Sequence, residues 1–447
     1  MRPGRAGNVR AVTSGWTRRT VGALAAAIVG VSVVAAAPVL PGSLMAGSAT
    51  ADPLAPTGRS ATVTTPVTDH CPHRVGTPPA VDESEVVPPG SPTPTPLPVP
   101  TPAVGGEDLA YCGVVADPEA GPVPPGLTSA GWLVADLDSG RVIAAKDPHG
   151  RYRPASTIKI LLALVALDEL DLDATVVPTP EDWSAEGDSC GMGPGGHYTV
   201  RDLLTGLLVV SGNDCANALA RELGGVDATL AKMNERAREL GATDTRAASP
   251  SGLDAPGMSS SPYDLALFFR AAMANDTFRE MISLPTYRFP GYPRRPDVPG
   301  DTDHPAYEMY SSNRLLLDGY PGMLGGKTGY TDDARKTFVA AAERDGRRIM
   351  IVKMYGLAME GNPYWDQARA LFEYGFATPE DVEVGRLVDP AGAADPSRDP
   401  AASADPDLVS TGSDSASPMS VRVLVGLLAA LAAVVLLMLG VRLSRRR

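Results

Sequence analysis

Residues 154–170 read Pro-Ala-Ser-Thr-Ile-Lys-Ile-Leu-Leu-Ala-Leu-Val-Ala-Leu-Asp-Glu-Leu. The pattern predicts a helix from Ser156 to Leu170, and Ile158, Ile160, Leu161, Leu162, Leu164, Val165 and Leu167 leave it little polar face. A helix apolar on nearly all sides belongs inside a folded body, and Lys159 is the anomaly in it. Positions i and i+3 share a helix face, so the Ser156 hydroxyl and the Lys159 amine are neighbours. Burial disfavours a charged lysine and lowers its pKa, which lets Lys159 accept a proton from Ser156. The helix N-terminus adds free N–H groups and a positive dipole end that favour developing negative charge. Together these make a serine nucleophile activated without histidine. Alone, the pair reads rather as an N-cap serine beside a snorkelling lysine.

Working outward, Ala130–Asp136 and Arg141–Ala145 read as strands joined by the turn Asp138-Ser139-Gly140. Phe338–Ala342 and Arg348–Met354 read as a second hairpin around Asp345-Gly346. Between the hairpins, helices are expected over 200–210, 214–223, 231–240 and 262–274, the third stopped by Gly241, with another over 363–376 after the second hairpin. Hairpins at both ends with helices between them predict an α+β domain whose sheet joins sequence-distant strands.

Two more short motifs fall in this region. Ser211-Gly212-Asn213 interrupts two helices and offers a hydroxyl and an amide beside Lys159. Lys327-Thr328-Gly329, followed by Tyr330, comes after Gly325-Gly326 and before a strand-like segment. There glycine permits close approach to a ligand backbone, and lysine and threonine can meet a carboxylate. A phosphate loop is excluded, because its first glycine would have to stand where Pro321 does.

Ser-x-x-Lys, Ser-x-Asn and Lys-Thr-Gly in that order resemble the penicillin-binding protein and serine β-lactamase superfamily. The stretches 154–159, 198–204, 207–214 and 325–331, with Met233-Asn234, Leu240-Gly241 and 249–253, are similar to low-molecular-mass D-alanyl-D-alanine carboxypeptidases of the actinobacterial type. The likeness covers about 107–378.

This resemblance implies a β-lactamase/DD-peptidase-like fold: an antiparallel sheet flanked by helices on both faces, with a mainly helical insert. It implies that Ser156 attacks the bond between two terminal D-alanines of a peptidoglycan stem peptide, with Lys159 as general base. Ser211 and Lys327 would shuttle the proton, Asn213 would hold the substrate amide, and the N–H groups of Ser156 and Tyr330 would form the oxyanion hole. β-Lactams would trap Ser156 as inhibitors, and no metal or cofactor is expected. The sequence departs from the family in two places. Ala334 is followed by Arg335 rather than glycine, and an arginine thought to grip the substrate carboxylate has no counterpart in Tyr355-Gly356-Leu357-Ala358-Met359. Arg335 or Lys327 is the expected replacement. Within the same fold, a D,D-endopeptidase or a β-lactamase is the alternative; in another class, a non-catalytic sensor of wall peptides or β-lactams.

Composition bounds the rest. The chain has 447 residues, net charge −13, 43 prolines, 46 glycines and only 5% aromatics, too uneven for one uniformly folded body. Residues 1–19 and 422–447 each hold five basic side chains and no acid. Between them lie 29 basic and 52 acidic residues, a net near −23 that argues against nucleic acid as partner. A basic start, an apolar run from Val21 to Val39 and small residues ending at Ala51 predict a secretory signal over 1–51, with an uncleaved N-terminal anchor as the competing reading. Arg18-Arg19 leaves Sec and twin-arginine export both open. Residues 423–441 are uncharged, apolar and followed by Arg442 and Arg445-Arg446-Arg447. They predict a transmembrane helix in the cell membrane, a cytoplasmic tail over 442–447 and an extracytoplasmic catalytic domain.

The expected order between the ends is a Pro-rich segment over 52–106, a catalytic domain over 107–380 and a flexible linker over 381–422. Eight prolines in 88–102 read as an extended spacer. Four cysteines in an exported chain allow three disulfide pairings. Cys71 and Cys112 flank the Pro-rich segment while Cys190 and Cys215 both lie in the later folded region, which favours Cys71–Cys112 and Cys190–Cys215. Metal ligation by His70, Cys71, His73 and Cys112 is the competitor, without zinc-site spacing.

Overall fold

The computed structural model describes residues 65–357 and 364–389. In chain order the strands and helices are β1 (Val114–Ala116), β2 (Ser129–Asp136), β3 (Arg141–Lys146), α1 (Lys159–Glu169), β4 (Thr175–Val176), α2 (Pro180–Trp183), β5 (Tyr198–Thr199) and α3 (Val200–Val209). Then come α4 (Asn213–Glu222), α5 (Val226–Glu239), α6 (Pro262–Met273), α7 (Asp276–Ile282), β6 (Thr286–Phe289), β7 (Tyr307–Tyr310) and α8 (Arg314–Leu317). The chain continues through β8 (Met323–Thr331), β9 (Arg335–Arg344), β10 (Arg347–Gly356), α9 (Tyr364–Ala377) and β11 (Gly385–Arg386).

Both expected hairpins form, and β2 pairs with β10 to join them. The antiparallel sheet runs β1-β3-β2-β10-β9-β8, with β11 also on β3. Asp345 and Gly346 both take positive φ (52° and 81°), the geometry that a tight hairpin turn between twisted strands requires. Every residue of β2 is buried, because both faces of the sheet are covered. Leu133, Ala135, Val339 and Val352 pack with α1 and α6. Trp132, Val134, Ile349 and Ile351 pack with α9 on the other side. This is the expected α+β body. The helical insert, α2 to α5, stands between α1 and α6.

The sequence-based fold class needs one correction. Among the described residues no helix is long and apolar enough to cross a membrane, so the fold that they show is α+β with no transmembrane helix. Residues 423–441, on which that expectation fell, lie outside the described residues, as do 1–64.

The Pro-rich segment is also used differently from a free spacer. Arg151 is buried and donates to the carbonyls of Val75, Leu97 and Pro98, at 3.0, 2.8 and 2.7 Å. Buried Arg153 holds Glu85 by two hydrogen bonds of 2.5 Å and the Pro78 carbonyl at 2.7 Å. Asp333, just past β8, accepts from the Val81 amide and the Ser84 hydroxyl. Prolines lack an N–H, but their carbonyls still accept, and these two arginines supply the donors. Cys71 and Cys112 are disulfide-bonded, which ties the belt to the start of the body. The body therefore begins earlier than 107, and β11 carries it past 380.

Arg153 lies three residues before Ser156, with Asp333 3.9 Å from its guanidinium. Replacing Arg153 by alanine leaves Asp333 buried without its counter-charge. The expected cost is about 3–5 kcal/mol in urea unfolding, against less than about 0.5 kcal/mol for Arg238→Ala, whose pair with Glu235 is exposed. Equal losses for the two variants would contradict this account of the belt.

Candidate active site

Ser156 sits in a single 3-10 turn, Ala155–Ile158, that runs straight into α1. Ala155 has φ 46°, a left-handed conformation costly for a residue with a Cβ. Gly252 makes it possible, since a Cβ there would collide with the Ala155 carbonyl. Gly329 serves the other side of the nucleophile. A Cβ on it would lie 2.8 Å from the Ser156 nitrogen, so only glycine lets β8 approach this closely.

Lys159 is fully buried, and its Nζ donates to three oxygens: Ser156 Oγ at 2.7 Å, Asn213 Oδ1 at 2.6 Å and the Ser251 carbonyl at 2.6 Å. None of these is a carboxylate. Burial lowers the Lys159 pKa well below that of an ordinary lysine, the Lys327 charge lowers it further, and Asp188 and Asp214 oppose the shift. Lys327 is also fully buried, donates to the Thr328 carbonyl at 2.7 Å, and is brought down by burial to about 7. A neutral Lys159 reverses its bond to Ser156 and accepts the hydroxyl proton.

Ser211 is buried at φ 69°, and its Oγ has no hydrogen-bond partner among the described residues. Its loop is held from behind. Cys190 and Cys215 are disulfide-bonded, and Asp214 accepts from the amides of Cys190, Met192 and Cys215 and from the Ser189 hydroxyl. Asn213 takes its place from the same loop, with its Nδ2 on the Glu186 carbonyl at 2.6 Å and its amide on the Asp188 carbonyl at 2.6 Å. Thr328 shares a 2.7 Å hydrogen bond with Ser312, and Tyr330, 57% exposed, donates to Asp332.

Ser211, Thr328, Gly329 and Tyr330 line one cavity of about 170 Å³ with Asp188, Ser312 and Lys336. Asp188 and Ser312 escaped sequence reasoning because they stand in ordinary loops with no motif around them. Asp214 did carry a signal, as it directly follows Ser211-Gly212-Asn213. Neither residue expected to meet a carboxylate reaches this cavity with a free cation. Lys327, on β8, is fully buried with its Nζ on the Thr328 carbonyl, and Arg335 lies beside the Tyr330 hydroxyl.

For a metal ion, Cys190, Asp214 and Cys215 have donor atoms close enough together among the described residues. The two thiols are joined as a disulfide and the carboxylate is taken by amides, so the group fits no metal.

A serine bonded to a buried lysine, beside a second serine and a Lys-Thr-Gly edge strand, defines a serine hydrolase of the Ser-x-x-Lys type. The chain belongs to the Peptidase_S11 family, D-alanyl-D-alanine carboxypeptidase, which matches residues 119–356. It is 53% identical to the D-alanyl-D-alanine carboxypeptidase DacB2 of Mycobacterium tuberculosis over 269 residues, 60% of this chain and 88% of that protein. The solved D-alanyl-D-alanine carboxypeptidase of M. tuberculosis H37Rv matches with TM-score 0.56 and 51% identity, covering 61% of this chain and 100% of that one. The Streptomyces K15 DD-transpeptidase matches with TM-score 0.52 and 28% identity, over 57% of this chain and 100% of that one. The protein is thus a serine-type D-Ala-D-Ala carboxypeptidase.

The paired lysines set a pH dependence. Protonation of Lys159 stops proton transfer, so acylation of Ser156 by a β-lactam falls as the pH drops, with an acidic limb well below the ordinary lysine range. The Lys327 charge helps keep Lys159 neutral, so Lys327→Met makes protonation easier and moves that limb to higher pH. Stopped-flow acylation rates against pH check this; a limb that moves to lower pH contradicts it.

Proposed function

We propose that Ser156 opens the peptide bond between two terminal D-alanines through an acyl-enzyme. The observation that carries this reading is the 2.7 Å contact between Lys159 Nζ and Ser156 Oγ inside an apolar helix. Neutral Lys159 takes the Ser156 proton as Oγ attacks the carbonyl carbon. The N–H groups of Ser156 and Tyr330 receive the oxyanion, each such donor contributing about 3 kcal/mol. The proton then passes to the departing nitrogen through Ser211 and Lys327. A pKa of about 7 suits Lys327 to proton exchange at neutral pH. Asn213 is held at both ends, by Lys159 on its oxygen and by Glu186 on its nitrogen, which supports a role in orienting the substrate amide. D-Alanine leaves, and water opens the ester on Ser156.

The substrate in this reading is the stem peptide of peptidoglycan, and β-lactams imitate its terminus and acylate the same serine. The catalytic domain works outside the cytoplasm, exported by residues 1–51. The belt disulfide Cys71–Cys112 supports that compartment, since such bonds persist where thiols are oxidised.

Ser156→Ala is expected to reduce D-alanine release from a peptide ending in D-Ala-D-Ala by at least about 1,000-fold and to abolish the mass increase on incubation with penicillin. Retention of both signals in the variant would overturn the assignment of the nucleophile.

A further inference from the structure

A carboxypeptidase must recognise the free carboxylate at the end of its substrate, and the departing D-alanine carries it. Such a group needs a cation that reaches the cleft. Lys327 and Lys159 do not, because both are fully buried and their Nζ atoms are spent on internal oxygens. Lys336 is different. It is half-buried and lines the cavity that also holds Ser211, Thr328 and Ser312. The register pairs Lys336 with Tyr330 across β9 and β8, so its side chain leaves the sheet on the same face as Thr328, two residues along.

Its surroundings keep the ammonium oriented without neutralising it. Lys336 Nζ lies 5.3 Å from the centre of the Tyr364 ring. Lys353 Nζ lies 3.5 Å from the centre of the same ring and is anchored on the Tyr364 carbonyl at 2.8 Å. Among the described residues no carboxylate forms an ion pair with Lys336, whereas most arginines of the surface have one. An aromatic face attracts a cation but leaves its N–H donors available.

Resting on the carboxypeptidase reading above, we infer that Lys336 grips the C-terminal carboxylate of the substrate, assisted by the hydroxyls of Thr328 and Ser312. The carboxylate then sits on the leaving-group side of Ser156, with Tyr364 and Trp365 as the floor of the subsite. Lys336 is a specificity residue in this scheme: it selects chains that end, and leaves the proton transfers to others. Arg335, turned to the Tyr330 hydroxyl, takes no part.

The test compares a D-Ala-D-Ala peptide with its C-terminal amide, and penicillin with its methyl ester, on wild type, Lys336→Met, Lys336→Arg and Arg335→Ala. A hydrogen bond to a charged group corresponds to roughly tenfold or more in rate constant. Lys336→Met should lower kcat/KM on the acid by about that factor and leave the amide within about twofold, so that the acid/amide preference collapses; Lys336→Arg should restore it. The acid/ester preference in Ser156 acylation should collapse in parallel. That second measurement needs no turnover, so it tests Lys336 even if D-alanine release failed to appear and the carboxypeptidase reading itself were wrong. Equal loss on both partners of each pair, no change in either, or collapse in Arg335→Ala instead would overturn the inference.

Discussion

An amine buried without a counter-charge is the constraint on which this protein depends. Lys159 rises from a helix of Ile160, Leu161, Leu162, Leu164 and Val165, all removed from water. Its three partners are a hydroxyl, an amide oxygen and a main-chain carbonyl. A carboxylate in that position would hold the proton on the lysine; these neutral acceptors hold the nitrogen in place and leave it free to act as a base. The arrangement carries a cost. The unfolded chain binds protons at Lys159, Lys327 and Lys353 that the folded one does not. Folded stability therefore declines as the pH falls from the ordinary lysine value toward their depressed ones.

The remaining architecture keeps water away from that amine while bringing three segments to it. The sheet holds β8 against the nucleophile at Gly329, with no room for a side chain. Asp214 and the Cys190–Cys215 disulfide fix the Ser211 loop in a left-handed conformation. Arg153 and Asp333 tie the belt to the approach to Ser156 and to the end of β8. Stiffness at these points matters because a proton relay among short side chains tolerates little misplacement.

Much of this was legible in the sequence. The helix of 156–170 revealed its burial through composition, and Lys159 stood out against it. Both hairpins announced themselves by alternation and by Asp345-Gly346. The motif residues Ser156, Lys159, Ser211, Asn213 and Lys327 carried fixed spacing, and the structure brings Ser156 and Asn213 onto the Lys159 amine. Contacts between a main-chain carbonyl and a distant arginine leave no local pattern, so the proline run at 88–102 read as a spacer when Arg151 binds two of its carbonyls. Lys336 was hidden for a similar reason, since its place in the cavity depends on the register of β8 with β9 and on α9 packing behind them. The membrane helix was an inference from hydropathy and the basic residues after it, and no helix among the described residues meets its requirements.

The most direct measurement is a pH titration of the Lys159 Nζ resonance in ¹⁵N-lysine-labelled protein, assigned by its absence in Lys159→Met. This account predicts a neutral amine at pH 7 that titrates well below the ordinary lysine range. A resonance that stays that of an ammonium up to the ordinary lysine value of about 10.4 would contradict it, and a different base would then have to be found for Ser156.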